Sequence, residues 1–345
     1  MNRNHAINTR SASGGWAWRR RFLSLVGATL LALALMMPAA SVQPGGAGAT
    51  ALASAGDPVI YAAGDIACNP SDSGFKGGNG TAKRCHEKWT AAELVGATAV
   101  LPLGDEQYQC GMLSDFQQSY DPSWGQQKAI EHPVIGNHEY YHGCAGALPG
   151  APGYFTYFGN AATPLQPGCT AKCKGYYSYN IGSWHFIALN SECGQVGGCG
   201  ANSAQGKWLR ADLAASSAAC TIAYWHRPLY TSGGSLGDAA MQPFWQILYN
   251  AHVDIVLNGH DHIYERFAPQ NANGGAASNG IREFIVGTGG ENHGGINSVA
   301  ANSVVRDTTT FGVLKLTLHS GSYDWSFIPD GKSGNFTDSG SASCI

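Results

Sequence analysis

Five short apolar runs recur along the chain, each followed by polar side chains. They read PVIYAAGD, TAVLPLGDEQY, HPVIGNHE, CTIAYWHRP and VDIVLNGHDH. Runs of this length, closed by turn residues, predict buried strands. Helix-like stretches lie among them at residues 87–96, 204–215 and 238–252. Strands that alternate with helices predict an α/β sheet.

Two further pairs of apolar segments do not fit a purely parallel sheet. Residues 176–180 and 184–189 are joined by Ile181-Gly182-Ser183, and residues 312–318 lie shortly before 323–328. Such short connections predict antiparallel hairpins. The pattern therefore predicts a mixed sheet or two stacked mixed sheets.

The side chains at the ends of the five runs share one chemical property, because each end offers a group that can ligate a metal ion. They are Asp65; Asp105 and Tyr108; Asn137 and His138; His226; and His260 and His262. Strand ends are where α/β sheets build their sites. One such residue at a strand end can arise by chance, whereas five ends in one chain predict a metal site.

Residues 1–55 are predicted to be an export leader. They contain five arginines and no acidic residue, and an apolar run follows at 22–37. Cleavage is expected before Gly56, with Ala39-Ala40-Ser41 as a second choice, and RRRFL at 19–23 resembles a twin-arginine export signal. An uncleaved anchor is the alternative, although the apolar run is shorter than the ~20 residues of a membrane span. Residues 56–345 are then predicted to form a single domain in the periplasm or outside the cell, with no membrane attachment.

The net charge of the chain after the leader limits which classes of binding partner are expected. Five of the 20 basic residues lie in the leader, which leaves 15 against 23 acidic residues, a net charge of −8. Proteins that bind nucleic acid usually carry the opposite sign, so no nucleic-acid partner is expected. The sequence does not determine the oligomeric state.

All ten cysteines follow residue 55. An even number in an exported chain predicts disulfide bonds. Cys169 and Cys173, and likewise Cys193 and Cys199, are close enough to close local loops, but the pairing as a whole stays open. Thiolate metal ligation is disfavoured because the sequence has no C-x-x-C pair.

The ordered motifs GDIA, GDEQY, GNHE, WH and GHDH resemble the calcineurin-like dinuclear metallophosphoesterases, and within them the purple acid phosphatase branch. The wider family usually has a histidine two residues after the first aspartate, where this chain has Ala67. The purple branch uses the tyrosine of G-D-x-x-Y instead, which is Tyr108. The resemblance covers nearly all of the chain after the leader, and it implies a four-layer sandwich with helices outside two stacked sheets.

The resemblance also implies a ligand set for two ions. Asp65, Asp105, Tyr108 and His262 would bind the first, and Asp105, Asn137, His226 and His260 the second, with the Asp105 carboxylate shared. His260 and His262 would then serve different ions from one loop. Oxygen-rich ligands suit Fe(III) at the first position, and the mixed set suits Zn(II), Fe(II) or Mn(II) at the second.

The implied activity is hydrolysis of phosphomonoesters by attack of a metal-bound hydroxide. His138 is the candidate catalytic residue for the leaving group, with a purely supporting role as its alternative. Asn137, His138 and Arg227 are candidate substrate-binding residues. Arg227, Arg266 and His293 are candidates to replace histidines that plant relatives carry, although Arg266 could simply pair with Glu265. A phosphodiesterase on the same site and a non-catalytic metal-binding module are the alternative functions.

Overall fold

A computed structural model describes residues 56–235 and 237–345 of the protein. The predicted leader and its cleavage site before Gly56 fall on residues 1–55, outside the described residues. None of the helices in the described stretches combines the length and the hydrophobicity that a membrane span requires.

Two β-sheets form the centre of the described domain. Their strands, in chain order, are β1 (Val59–Ala63), β2 (Ala99–Pro102), β3 (Tyr177–Ile181), β4 (Trp184–Ala188), β5 (Cys220–Tyr224), β6 (Ile255–Asn258), β7 (Tyr264–Phe267), β8 (Arg282–Val286), β9 (Ser303–Asp307), β10 (Gly312–Leu318), β11 (Ser322–Pro329) and β12 (Ser339–Ser343). One sheet has five strands in the order β12-β11-β10-β1-β2, and the other has seven in the order β3-β4-β5-β6-β8-β7-β9. Both sheets are mixed, because β1 and β2 are parallel, as are β4, β5, β6 and β8, while the remaining pairs are antiparallel.

The helices are short. They are α1 (Glu87–Ala92), α2 (Leu113–Asp115), α3 (Asn137–Tyr140), α4 (Pro152–Phe158), α5 (Ala204–Ala215) and α6 (Gln242–Asn250), and a π-helical turn (Phe116–Tyr120) follows α2. The prediction for residues 204–215 matches α5. The stretch predicted at 238–252 begins as a 3₁₀ turn (Ala239–Met241) before α6.

Alternate residues of the central strands pack in opposite directions. Phe186 and Tyr224 join a core that also contains Leu314 of the five-stranded sheet. Ile187 packs in a second core with Phe244 of α6. Because successive side chains of a strand point to opposite faces, the seven-stranded sheet lies on the other sheet with one face and against helices with the other. The predicted class, two stacked mixed sheets flanked by helices, is confirmed.

Both predicted hairpins form, as β3 with β4 and β10 with β11. The run HPVIG at 132–136 differs from the prediction, because it is extended without becoming a regular strand. The amides of His132 and Val134 donate to the carbonyls of Val100 and Pro102 in β2, at 2.9 and 3.0 Å. Pro133 between them has no N–H for a further strand, so the segment closes the edge of this sheet.

All ten cysteines are paired. The disulfides are Cys68–Cys85, Cys110–Cys144, Cys169–Cys173, Cys193–Cys199 and Cys220–Cys344. The two predicted local pairs are therefore confirmed. Cys220–Cys344 joins the start of β5 to the end of the chain across 124 residues, a pairing that spacing alone does not suggest.

Candidate metal centre

The predicted ligands lie where the carboxyl ends of strands from both sheets meet. Asp65 lies two residues after β1, and Asp105 lies three residues after β2. In the other sheet His226 and His260 each lie two residues after the adjacent parallel strands β5 and β6. Parallel neighbours end on the same side of a sheet, so the four side chains converge.

The backbone turns sharply at three of these positions. Asp65, Asp105 and His260 have φ values of 59°, 51° and 71°, in the left-handed region that residues other than glycine rarely adopt. Such conformations concentrate at functional sites, where the surrounding structure holds them. Here they aim a carboxylate or an imidazole away from the strand direction and into the space between the two sheets' ends.

The first group of donor atoms surrounds the hydroxyl of Tyr108. This hydroxyl donates to Asp65 Oδ1 at 2.9 Å or to Asp105 Oδ2 at 3.2 Å, and it lies 3.0 Å from Nε2 of His262. Nε2 of His262 is in turn 3.2 Å from Asp65 Oδ1. The donor atoms of two carboxylates, a phenol and an imidazole therefore lie close together in one buried place.

The second group surrounds Nε2 of His226. That nitrogen lies 3.1 Å from Asp105 Oδ2, 3.2 Å from Asn137 Oδ1 and 3.2 Å from Nδ1 of His260. Asp105 Oδ2 contacts both groups, so one carboxylate connects them. The structure brings all seven predicted ligands together, in two groups with the same members as the two sets that the resemblance implies. Their role as ligands remains a prediction.

Glycines allow the close approach of the ligand loops. A Cβ on Gly136 would lie 2.1 Å from Asp105 Oδ1. Gly104 has a φ of 87°, and a Cβ there would lie 2.6 Å from Nδ1 of His226. The glycines of the GD and GN motifs are therefore required by packing against the ligands themselves.

Two histidine ligands are held by hydrogen bonds from their outer nitrogens. Nδ1 of His226 donates to the carbonyl of Leu103 at 2.9 Å, and Nδ1 of His262 donates to Oδ1 of Asn292 at 2.5 Å. The Glu291 carboxylate lies 3.6 Å from the same nitrogen of His262. These contacts place Nε2 of both rings toward the donor groups and set their tautomers, as outer partners of metal-binding histidines commonly do.

Sequence reasoning missed Asn292 and Glu291. They follow β8, which lies between β6 and β7 and runs parallel to β6. The signal that would have found them is the glycine-rich GTGGENHGG after REFIV, because a strand followed by such a loop satisfies the same strand-end rule.

A third missed residue, Glu139, ties two ligand loops together. Its fully buried carboxylate accepts hydrogen bonds from the backbone amides of Asp105, Gln107 and Gly136 at 3.0 to 3.1 Å. The first two amides belong to the loop after β2, and the third precedes Asn137. Glu139 thereby fixes the distance between the shared carboxylate and the Asn137 amide.

The charges of the site shift its pKa values strongly. Burial alone would lower the pKa of His226, but the Asp105 carboxylate outweighs it and raises that pKa to about 9. Burial is likewise outweighed by Asp65 at His262, where the pKa rises to about 10. His260 behaves oppositely, because burial and the neighbouring His226 lower its pKa to about 4. The carboxylates of Asp65 and Asp105 therefore stabilise positive charge on the groups next to them.

The donor set fits two cations. Burial opposes ionisation of Asp65 and Asp105, yet nearby imidazoles hold the pKa of both carboxyls below the usual value, so both are anions. Anionic oxygens, a phenol, an amide oxygen and imidazole nitrogens are ligands for hard and borderline metal ions. The first group contains one imidazole and the second contains two, and the identity of the ion at each position stays a prediction.

A cleft of about 430 Å³ opens onto this centre and is lined by Asn137, His138 and Arg227. Nδ1 of His138 donates to the carbonyl of Gln109 at 2.8 Å, and its Nε2 points inward, 3.9 Å from Asp105 Oδ2. The Arg227 guanidinium is held by Glu192, with Nε to Oε1 at 2.6 Å. Both side chains are placed to face a bound substrate.

Arg266 and His293 do not reach the cleft. Arg266 binds Asp338 at 2.6 and 3.0 Å. The expected pairing with Glu265 is wrong, because neighbouring residues of β7 point to opposite faces, and Glu265 instead accepts from Ser232. His293 is stacked on Phe311, with 3.7 Å between ring centroids.

Comparison with known proteins places this geometry in a family. The sequence model for the calcineurin-like phosphoesterases matches residues 60–264, more than half of the chain. Purple acid phosphatase 15 of Arabidopsis thaliana is 35% identical over 97 residues, which are 26% of this chain and 18% of that protein. Probable inactive purple acid phosphatase 9 of the same plant is 30% identical over 169 residues, 41% of this chain and 25% of that protein.

The match to these two relatives spans a quarter of their length or less. Among solved structures, the purple acid phosphatase PPD1 from yellow lupin (Lupinus luteus) seeds aligns with a TM-score of 0.60. The alignment covers 83% of this chain and 53% of that chain at 20% identity, and at that identity it supports the fold alone. The chain belongs to the calcineurin-like phosphoesterase family, and the relatives it resembles in these comparisons are purple acid phosphatases.

Proposed function

We propose that this protein is an exported, dinuclear metal-dependent phosphatase that hydrolyses phosphomonoesters. The observation that carries the proposal is the convergence of seven side chains in two donor groups that share Asp105 Oδ2. Family membership supports the class of reaction, the hydrolysis of phosphoric esters.

The first ion would be held by Asp65, Asp105, Tyr108 and Nε2 of His262, and the second by Asp105, Asn137, Nε2 of His226 and Nδ1 of His260. Two bound cations supply positive charge to the phosphoryl oxygens and lower the pKa of a shared water, which makes it a nucleophile near neutral pH. Fe(III) at the first position with Zn(II), Fe(II) or Mn(II) at the second is the pairing that the donor types favour.

His138 is proposed to act on the leaving group. Its Nδ1 is occupied by the carbonyl of Gln109, so the orientation of the ring is fixed and only Nε2 faces the centre. When the ring is protonated, Nε2–H can donate to the ester oxygen as the bond to phosphorus breaks. The backbone amide of His138 donates to Asp105 Oδ1 at 2.8 Å, which couples its position to the shared ligand.

Arg227 is proposed to bind a phosphate oxygen. Its Nη1 lies 3.1 Å from Nε2 of His260. If His260 binds the metal ion through Nδ1, its proton lies on Nε2. Nε2 can then no longer accept a hydrogen bond from the Arg227 guanidinium. The N–H groups of Arg227 are then available to an anionic substrate in the cleft that it lines.

The test compares one metal-analysed preparation on a nitrophenyl phosphate monoester and the matching diester. Faster hydrolysis of the monoester supports the proposal. A preference for the diester would make the protein a phosphodiesterase on the same centre. A preparation with two metals per chain that hydrolyses neither ester would identify a non-catalytic metal-binding module; one relative is itself named as probably inactive.

Export is proposed from the arginine-rich, acid-free leader and from the pairing of all ten cysteines. Protein recovered from outside the producing cell should begin near Gly56 and contain no free thiol. Intact-mass analysis that shows residues 1–55 retained, or several cysteines that alkylate without reductant, would refute this part of the proposal.

A further inference from the structure

Tyr141 lies at the opening of the cleft that leads to the candidate metal centre. Its side chain is 56% exposed, and it is the one exposed Tyr, Trp or Phe among residues 56–235 and 237–345. It lines the cleft together with Asn137 and His138. No contact of the fold accounts for an aromatic ring left open to solvent at this place.

The backbone at Tyr141 is held in position, and Gly143 lies against one side of its ring. The backbone amide of Tyr141 donates to the carbonyls of Asn137 and His138 at 2.9 and 3.2 Å. The ring lies directly over Gly143, where an added Cβ would come 2.4 Å from the hydroxyl oxygen. The next residue, Cys144, is bonded to Cys110. A side chain on such a backbone has less conformational freedom to lose when a ligand binds against it.

The rings of Tyr108, His138 and Tyr141 form a row that runs from the metal centre to the cleft opening. The ring centroids of Tyr108 and His138 are 4.3 Å apart, and those of His138 and Tyr141 are 6.4 Å apart. A group that reaches Tyr141 from a phosphate at the donor groups must therefore pass His138. A ring bonded directly to the ester oxygen would lie beside His138, whereas a ring one sugar farther out would come level with Tyr141.

We propose, on the basis of the proposed phosphatase function, that Tyr141 is a stacking platform that selects phosphomonoesters whose alcohol carries a planar ring one sugar from phosphorus, as in nucleoside monophosphates. The other residues of the cleft suit such a substrate. Arg227 offers positive charge for the phosphate, and Glu192 and Gln195 offer hydrogen-bonding groups for sugar hydroxyls. Tyrosine is well suited to stack on a base, because every base has a π-face.

The experiment compares adenosine 5′-monophosphate with ribose 5-phosphate, which share the same leaving alcohol chemistry and differ in the base. In the wild type, kcat/KM should be about tenfold higher for the nucleotide, the size of one aromatic stack on a base. The ratio should fall toward one in Tyr141→Ala and persist in Tyr141→Phe. Leu148→Ala, an exposed change in the same loop but outside the cleft lining, should keep the wild-type ratio.

A wild-type ratio near one, or a raised ratio that survives in Tyr141→Ala, would overturn the platform. Phenyl phosphate tests the spacing, because its ring is bonded to the ester oxygen: the loss in Tyr141→Ala should be smaller for it than for the nucleotide, and an equal loss would overturn that part. Hydrolysis of phenyl phosphate but of neither sugar phosphate would overturn the platform. If none of the three esters is hydrolysed, the proposed phosphatase function fails instead. The two sugar phosphates then serve as ligands in calorimetry, where equal Kd values for both would overturn the platform as well.

Discussion

The carboxylate of Glu139 accepts a hydrogen bond from the backbone amide of Asp105 at 3.1 Å, although neither residue is near the other in sequence. Two more amides, those of Gln107 and Gly136, donate to the same carboxylate. Asp105 itself has a left-handed backbone, which costs on the order of 1–3 kcal/mol and persists only when its surroundings hold it. Glu139 is one of the groups that holds it.

We therefore expect Glu139→Gln to weaken metal binding without removing any ligand. The amide nitrogen of glutamine cannot accept from a backbone N–H, so at least one of the three hydrogen bonds is lost. Loss of such an outer partner typically lowers metal affinity by about 10- to 100-fold. Metal content after dialysis against a graded chelator series measures the change, with Glu93→Gln at the end of α1 as a matched control. A Glu139→Gln protein that retains metal like the wild type would show that these hydrogen bonds do not support the site.

The sequence predicts those residues of the site that lie next to a recognisable strand in the chain. Asp65, Asp105, His226 and His260 each follow an apolar strand directly, so a local pattern marks both the strand and the ligand. Glu139 and Asn292 act through contacts with residues far away in the chain. No local pattern marks Glu139, and the glycine-rich loop after β8 marks Asn292 only once β8 has itself been recognised as a strand.

The same reasoning applies to the fold. Hairpins and α5 were predictable because their residues interact locally. Strand β8 was missed, because it begins with Arg282-Glu283 and resembles a polar loop until its place between β6 and β7 is known. The extended segment around Pro133 shows the reverse error, an apolar run that pairs along one side without forming a strand.

The shared position of Asp105 predicts different results for two ligand mutants. Asp105→Asn removes the charge of the carboxylate that contacts both donor groups, so both metals should be lost and activity should fall with them. His226→Ala removes a donor of the second group only, so the first metal should stay. Metal stoichiometry by mass spectrometry, measured beside the rate on a monoester, distinguishes the two. Retention of both metals and most activity in Asp105→Asn would show that this carboxylate does not bridge.

Glu131 predicts a pH dependence of stability that is independent of the site. Its carboxyl is buried, Oε1 accepts from Tyr120 at 3.0 Å, and Oε2 has no hydrogen-bond partner among the described residues. Burial raises its pKa to about 8, above the usual 4.5. Between these values the native state holds a proton that the unfolded state releases. The free energy of unfolding therefore decreases as pH rises through this window, by at most about 1.4 kcal/mol per pH unit.

Glu131→Gln should remove this dependence. Glutamine resembles the protonated acid, so the variant should gain stability relative to the wild type as the pH rises from 5 to 8. Urea unfolding of both proteins at these two pH values measures the gain, and the other buried carboxylates cancel in the comparison. A difference between the two proteins that is the same at both pH values would contradict the assignment.

The Cys220–Cys344 disulfide should stabilise the domain more than the local pairs do. It closes a loop of 124 residues, against four for Cys169–Cys173. In the chain-entropy model a long loop contributes about 4–5 kcal/mol by restricting the unfolded chain, and a short loop contributes less. Denaturant unfolding of Cys344→Ser and of Cys173→Ser, each with its partner also changed to Ser, tests this order. Equal losses in the two double variants would show that loop length does not determine the contribution.

The last prediction concerns Tyr108 and the branch of the family. The hydroxyl of Tyr108 contacts Asp65, Asp105 and His262, whereas Ala67 offers no ligand at the position where the wider family has a histidine. Burial, followed by the charges of Asp65 and Asp105, raises the pKa of Tyr108 well above its usual range. A phenolate therefore forms here only if a strongly Lewis-acidic ion such as Fe(III) displaces the proton.

Phenolate bound to Fe(III) absorbs visible light, so iron-loaded protein should be violet to pink. Tyr108→Phe should lose the band while metal analysis still finds iron, and Tyr140→Phe, whose hydroxyl binds Asn190 outside the donor groups, should keep it. A coloured, iron-loaded protein with an unchanged spectrum in Tyr108→Phe would remove Tyr108 from the ligand set, and with it the reason for expecting Fe(III) at the first position.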